Sequence, residues 1–125
     1  MRRLAMKYLQ IALLKMLNDL GCKTGGGDVF PRVEISSIDM SEGADKAPYD
    51  FVVTFILDII TKSVSQLESL DILENIRANF ISLEVEHFYT DGLVPENCSQ
   101  ITETTDTEFI HRQVQRYRIY LTQKS

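Results

Sequence analysis

The run from Asp50 to Lys62, Asp-Phe-Val-Val-Thr-Phe-Ile-Leu-Asp-Ile-Ile-Thr-Lys, constrains the fold more than any other stretch of this chain. It contains no Gly or Pro and is rich in β-branched and aromatic side chains, which predicts a long strand. Successive strand side chains point to opposite faces. One face then carries Phe51, Val53, Phe55, Leu57 and Ile59; the other carries Val52, Thr54, Ile56, Asp58 and Ile60. Both faces are largely apolar, and both need cover. A chain of 125 residues can cover one of them with its own helices. The second needs more helices, a returning strand or another subunit.

The flanking segments supply the helices. In residues 2–20, Leu9, Leu13, Met16, Leu17 and Leu20 recur at helical spacing, with Leu4, Tyr8, Ile11 and Leu14 as a flanking stripe. Gly21 is a natural stop. Gly25-Gly26-Gly27-Asp28 lacks the endings of phosphate-binding loops and reads as a connector. Residues 32–39 alternate as a strand, and the polar residues 40–49 turn the chain into the long strand. Ser65 with Glu68, and Ser63 with Gln66, fit capping boxes before an amphipathic helix at 65–80 carrying Leu70, Leu73, Ile76 and Phe80. Residues 81–89 alternate as a strand, with Leu83, Val85 and His87 opposite Glu84, Glu86 and Phe88. Asp91-Gly92 marks a turn. The stretch 92–108, polar and acidic from residue 97, is expected to be an extended hairpin or a mobile loop. Residues 108–122 form a last strand, with Tyr117, Ile119 and Leu121 opposite Arg112, Val114, Arg116, Arg118 and Tyr120. The expected fold is a single α+β domain over residues 1–125. It has one mostly antiparallel sheet with two helices packed on one face, in the order α-β-β-α-β-β.

Chemistry is sparse. A net charge of −5 and a pI of about 5.0 argue against general nucleic-acid binding. Cys22 and Cys98 form no metal or redox motif and are expected to be reduced thiols. His87 and His111 lack the spacing of a metal site, and each is expected to be an ordinary strand residue, His111 partly exposed. Glu84 and Glu86 share a strand face, where such a pair more often meets cations on a neighbouring strand than runs acid–base chemistry. Arg112, Arg116 and Arg118 have the alternation to supply those cations, from this chain or a neighbour. No nucleophile, metal loop or cofactor fingerprint is present, so no enzymatic activity, cofactor or metal is expected. The apolar N-terminus is broken by Lys7, Gln10 and Lys15, and no stretch reaches the roughly 20 apolar residues of a membrane span. The chain is expected to be soluble, with no membrane partner.

The order of these elements resembles the tail terminator (tail completion) proteins of long-tailed bacteriophages. The resemblance rests on the helix from Leu4 to Leu20, the strand at Val33–Ile35 and the approach Ala47-Pro48-Tyr49 to the strand Phe51–Thr61. It continues through the helix Ser65–Phe80 and an acidic hairpin to the basic-apolar strand Gln113–Leu121. It implies a virion protein of the tail or neck, assembled in the host cytoplasm. It implies a homo-oligomeric ring, commonly a hexamer, that stops tail-tube polymerisation and joins the tail to the head connector. The partners implied are the tail tube protein and the head–tail connector protein, with DNA passing through the lumen without specific binding. The candidate contact residues are Val52, Thr54, Ile56 and Ile60 on the outer face of the long strand, with Glu84, Glu86, Arg112, Arg116 and Arg118. The alternative is a small ferredoxin-like ligand-binding or enzymatic dimer, with a pocket built from His87, Glu86 and Arg112.

Overall fold

A computed structural model of the chain describes residues 2–25, 29–42, 50–63, 65–104 and 108–124. The expected connector at 26–28, the core of the polar turn at 43–49 (with Ala47-Pro48-Tyr49) and the end of the acidic segment at 105–107 lie outside the described residues. The elements follow the expected order: α1 (Arg2–Asp19), β1 (Arg32–Glu42), β2 (Asp50–Lys62), α2 (Leu67–Asn79), a short 3₁₀ turn at Phe80–Ser82, β3 (Phe88–Thr104) and β4 (Phe109–Gln123). The four strands form one antiparallel sheet in the order β1-β2-β4-β3.

Helix α1 is built from Leu, Ala, Met, Lys and Gln, residues that lose little side-chain freedom in a helix. Its buried stripe is Ala5, Leu9, Ala12, Leu13 and Leu17. The helix ends at Gly21, whose φ of 80° lies in the left-handed region. Gly21 N–H donates to the Asn18 carbonyl at 3.0 Å and Cys22 N–H to Leu17 at 2.9 Å. This is the Schellman arrangement that glycine makes easy.

Helix α2 starts two residues later than its sequence pattern predicts, because neither expected capping box forms. Ser65 Oγ instead accepts from Leu67 N–H at 3.1 Å, and Ser63 Oγ accepts from Ser65 N–H at 3.3 Å. These local serine turns compete with the box and leave Gln66 at the cap position without a side-chain cap bond.

Both helices lie on one face of the sheet. Leu9, Leu13 and Leu17 of α1 and Leu73 and Ile76 of α2 pack with Phe51, Val53, Phe55, Leu57 and Ile59 of β2 and Tyr117, Ile119 and Leu121 of β4. Phe55, Phe80 and Tyr117 form an aromatic triangle with centroids 4.9 to 6.2 Å apart. The parity read from the sequence for β2 and β4 is the one observed.

The segment after α2 departs from expectation. Of residues 81–89, expected as a strand, 81–87 are not one. The chain makes the 3₁₀ turn, buries Leu83 and Val85, and turns at His87 with φ 70° before β3 begins at Phe88. Two buried side chains two residues apart in an extended connector mimic strand alternation. Asp91-Gly92 is likewise not a turn. It is the first of two β3 bulges, between Thr90 and Gly92, the second lying between Pro95 and Asn97. Bulges tolerate Gly and Pro, so punctuation that reads as a turn can sit inside a long strand. The stretch 92–104 is therefore the body of β3, paired with β4 throughout as an extended hairpin arm. Since β2 and β3 are each antiparallel to β4, they run in the same direction with β4 between them, a split β-α-β unit around α2.

Candidate functional site

The face opposite the helices is the chain's most distinctive surface. Cross-strand partners share a face in an antiparallel sheet. Its rows, read from β1 through β2 and β4 to β3, are Arg32–Ile60–Arg112–Ile101, Glu34–Asp58–Val114–Ser99, Ser37–Ile56–Arg116–Asn97 and Asp39–Thr54–Arg118–Val94. Val52 and Tyr120 continue the two central strands. An apolar stripe thus runs up β2 between charged flanks, with neither helix over it. Val52, Thr54 and Ile56 are half-buried there. Val94, Ile101 and Tyr120 are exposed, at 49%, 42% and 37%.

The structure corrects one expected contact residue on this stripe. Ile60 is 4% exposed within the single chain, sitting between Arg32 and Arg112, so it belongs to the fold and not to a free surface. Asp58, its neighbour on the face, is equally buried. It is held by Arg112, whose Nε donates to Asp58 Oδ1 at 3.3 Å while Nη2 bonds Oδ2. Arg112 Nη1 also reaches Glu103 Oε1 at 3.4 Å. This bidentate grip is the geometry in which an Arg–carboxylate pair is strongest. Hydrogen bonding to Asp58, opposed by burial, raises the Arg112 pKa.

Arg116 and Arg118 share Glu96. Arg116 Nε lies 3.3 Å from Glu96 Oε2, and Arg118 Nη2 bonds Oε1. Arg118 also donates to the Tyr120 hydroxyl at 3.3 Å, which with Glu96 raises its pKa. The arginine stripe therefore pairs within the chain, but not with the residues expected. Glu84 and Glu86 are exposed in the connector before β3, and Glu86 lies 3.7 Å from His87. They do not meet the arginines because the strand that was to carry them side by side does not exist. The true partners, Asp58, Glu96 and Glu103, escaped the sequence reading. Asp58 was legible as a carboxylate on the same β2 face. Glu96 sits in the second β3 bulge, where strand parity resets and counting by twos fails.

The helix side holds a second feature. Helix α1 packs on β1 and β2, and α2 on β2 and β4. Helix α2 reaches β3 at its rim, through Arg77 Nη2 to Cys98 Sγ at 3.4 Å. Arg77 also donates to Gln115 Oε1 at 2.6 Å and the Tyr117 hydroxyl at 3.2 Å. Beside β3 this leaves an open groove of about 490 Å³ lined by Phe80, Ile81, Leu93, Pro95 and Tyr117, with Ile81 94% exposed at its lip.

The histidines hold no metal-like geometry. His111 is 5% exposed, more buried than expected. Its Nε2 lies 3.1 Å from the Ser63 carbonyl, an acceptor, so Nε2 carries the proton and Nδ1 accepts from Thr102 Oγ1 at 3.1 Å. His87 packs edge-on against Tyr8 with centroids 4.9 Å apart. The pocket that the alternative reading expects from His87, Glu86 and Arg112 does not assemble. The His87 carbonyl accepts from Lys124 N–H, whereas Arg112 is twelve residues earlier along β4, about 40 Å at the usual strand rise. Among the described residues there is no cluster of three or more His, Cys, Asp or Glu able to hold a metal ion, and no buried side-chain polar atom lacks a hydrogen bond. Among them, too, no helix is long and apolar enough to cross a membrane. Compared with known proteins, the chain matches no protein-family model and no curated protein.

Proposed function

We propose that this chain is a structural assembly protein of the tail terminator type, and not an enzyme. In this reading it forms a homo-oligomeric ring, a hexamer, at the head-proximal end of a phage tail tube. The ring stops tube polymerisation and presents a surface to the head–tail connector, and DNA passes through its lumen without specific binding. The chain is made in the host cytoplasm and ends in the virion tail or neck.

The observation that carries this reading is the bare outer sheet face. The helices and the aromatic triangle complete a core on one side, while Val52, Thr54 and Ile56 stand half-covered on the other, beside exposed Val94, Ile101 and Tyr120. A sheet face with an apolar stripe and a charged rim is the anatomy of an interface. Its four arginines are already paired, Arg32 with Glu34, Arg112 with Asp58 and Glu103, and Arg116 and Arg118 with Glu96, which leaves the apolar stripe as the drive for association and the paired rim as its geometry.

The test is incubation of the purified chain with polymerising tail tube protein, followed by electron microscopy. The proposal expects rings at one end of each tube and shorter tubes as the chain is added. Tubes of unchanged length, without rings, would count against it.

A further inference from the structure

Resting on that assembly reading, we infer that copies of this chain stack front to back, the solvent-facing stripe of α1 in one copy packing across the outer sheet face of the next. Matching features on the two sides of the chain carry this.

On the outer face the four arginines are paired within the chain, but three carboxylates near its Val52–Thr54 end are not. Asp39, Asp50 and Asp91 are exposed and form no ion pair among the described residues. Asp39 lies across from Thr54, and Asp50 across from Thr122. Asp50 and Asp91 converge on one donor: the Thr122 hydroxyl lies 3.0 Å from Asp50 Oδ1 and also bonds Asp91 Oδ2. A hydroxyl has one proton to donate, so one of the two carboxylates gets none from it. Lys124, two residues further on, lies over the Tyr89 ring, 5.0 Å from its centroid, and forms no ion pair with either. The apolar stripe is therefore bordered at this end by uncompensated negative charge.

Helix α1 carries the counterpart. It buries Ala5, Leu9, Ala12, Leu13 and Leu17 against the sheet, and turns Leu4 and Ile11, 36% and 48% exposed, the opposite way. At about 3.6 residues per turn, Lys7 and Lys15 fall on either side of the line from Leu4 to Ile11. Both lysines are exposed and form no ion pair among the described residues; Lys7 lies over the Tyr8 ring, 5.8 Å from its centroid. An apolar stripe bordered by ammonium groups thus complements one bordered by carboxylates. The dimensions agree. Lys7 and Lys15 are about 12 Å apart along the helix axis. Asp50 is about 13 Å along β2 from the row that holds Asp39 and Thr54.

The two stripes lie on opposite sides of one chain and cannot meet within it. Between copies the contact joins two different surfaces, so it is heterologous and closes into a ring when the rotation divides the circle. It also gives β2, apolar on both faces, a helix layer on each.

Charge exchange tests this. Lys7→Glu/Lys15→Glu and Asp39→Lys/Asp50→Lys, each checked for folding by circular dichroism, are followed by light scattering alone and mixed in equal amounts. Each variant should be monomeric where the wild-type chain is multimeric, and the mixture should restore multimers, because every junction then pairs opposite charges again. Folded variants that assemble like wild type, or a mixture that stays monomeric, would overturn the stacking and leave the assembly reading standing. A wild-type chain that is monomeric at every concentration would overturn both. Should a charge variant fail to fold, Ile11→Cys paired with Val52→Cys, Thr54→Cys or Ile56→Cys in a Cys22→Ser, Cys98→Ser chain reads the same contact. At least one pair should give a ladder of covalent multimers on a non-reducing gel under mild oxidation. Dimers from Thr54→Cys or Ile56→Cys alone would overturn the proposal in favour of sheet faces meeting each other, and no ladder from a multimeric chain would overturn it as well.

Discussion

Asp58 is the residue on which the outer face turns. It is buried, acidic and on a strand, a placement that is costly unless the charge is matched. Arg112 matches it, but the Arg112 side chain is about one-third exposed (34%), so solvent screens part of the interaction. Arg112→Ala should therefore destabilise the fold by about 2 kcal/mol, below the roughly 3–5 kcal/mol of a fully buried broken pair, as read from urea unfolding. A loss under about 0.5 kcal/mol would show that Asp58 does not depend on Arg112. The pairing was half legible. The parity of β2 and β4 put Asp58, Arg112, Arg116 and Arg118 on one face, whereas the bulge that delivers Glu96 has no signature beyond Pro95. One half-buried group, Cys22, and one buried group, Tyr117, make a further statement at this scale. Burial pushes the Cys22 thiol above its ordinary 9.0 and, against the Arg77 hydrogen bond, the Tyr117 phenol above its ordinary 10.0. The folded chain holds these protons more tightly than the unfolded one. Their contribution is full below about pH 9 and is lost as pH rises through the folded values. Stability should fall from pH 9 upward, and Cys22→Ala with Tyr117→Phe should flatten that fall in urea midpoints taken at pH 7, 9 and 10. An equally steep fall in the double variant would place its cause elsewhere.

At the scale of elements, α2 sits on β4 through polar as well as apolar contacts. Ser69 Oγ donates to the Gln66 carbonyl at 2.8 Å and accepts from Gln113 Nε2 at 3.2 Å, with both side chains buried. Ser69→Val strands the Gln113 amide and should cost about 1–3 kcal/mol. Adding Gln113→Leu removes the stranded group and should recover much of that loss, so a double-mutant cycle on thermal unfolding should show strong coupling. Additive losses would mean that the pair is not a unit. Helix α1, β2 and β4 were legible because their periodicities are long and uninterrupted, and β1 because Val33 and Ile35 alternate before its bulge at Ser36. Strand β3 was not. Its inward side meets little core, so its sequence is polar nearly throughout, and Asp91-Gly92 inside it reads as a turn. The buried Leu83 and Val85 just before it supplied a false alternation.

For the whole molecule, the two-sided apolar character of β2 is resolved on one side by the helices and left half-resolved on the other. That half is where the account places association. Ile56 is the sharpest probe, because Arg116 stands directly across from it on β4. An aspartate there has a cation beside it and should leave the monomer folded, while putting a charge into the apolar stripe. The most direct measurement is size-exclusion chromatography with light scattering on the wild-type chain and Ile56→Asp over a wide concentration range, with circular dichroism on both. The account predicts a wild-type multimer at a whole-number multiple of 14.3 kDa and a folded Ile56→Asp monomer. A wild-type chain that stays at 14.3 kDa throughout, or an Ile56→Asp chain that assembles like wild type, would contradict it.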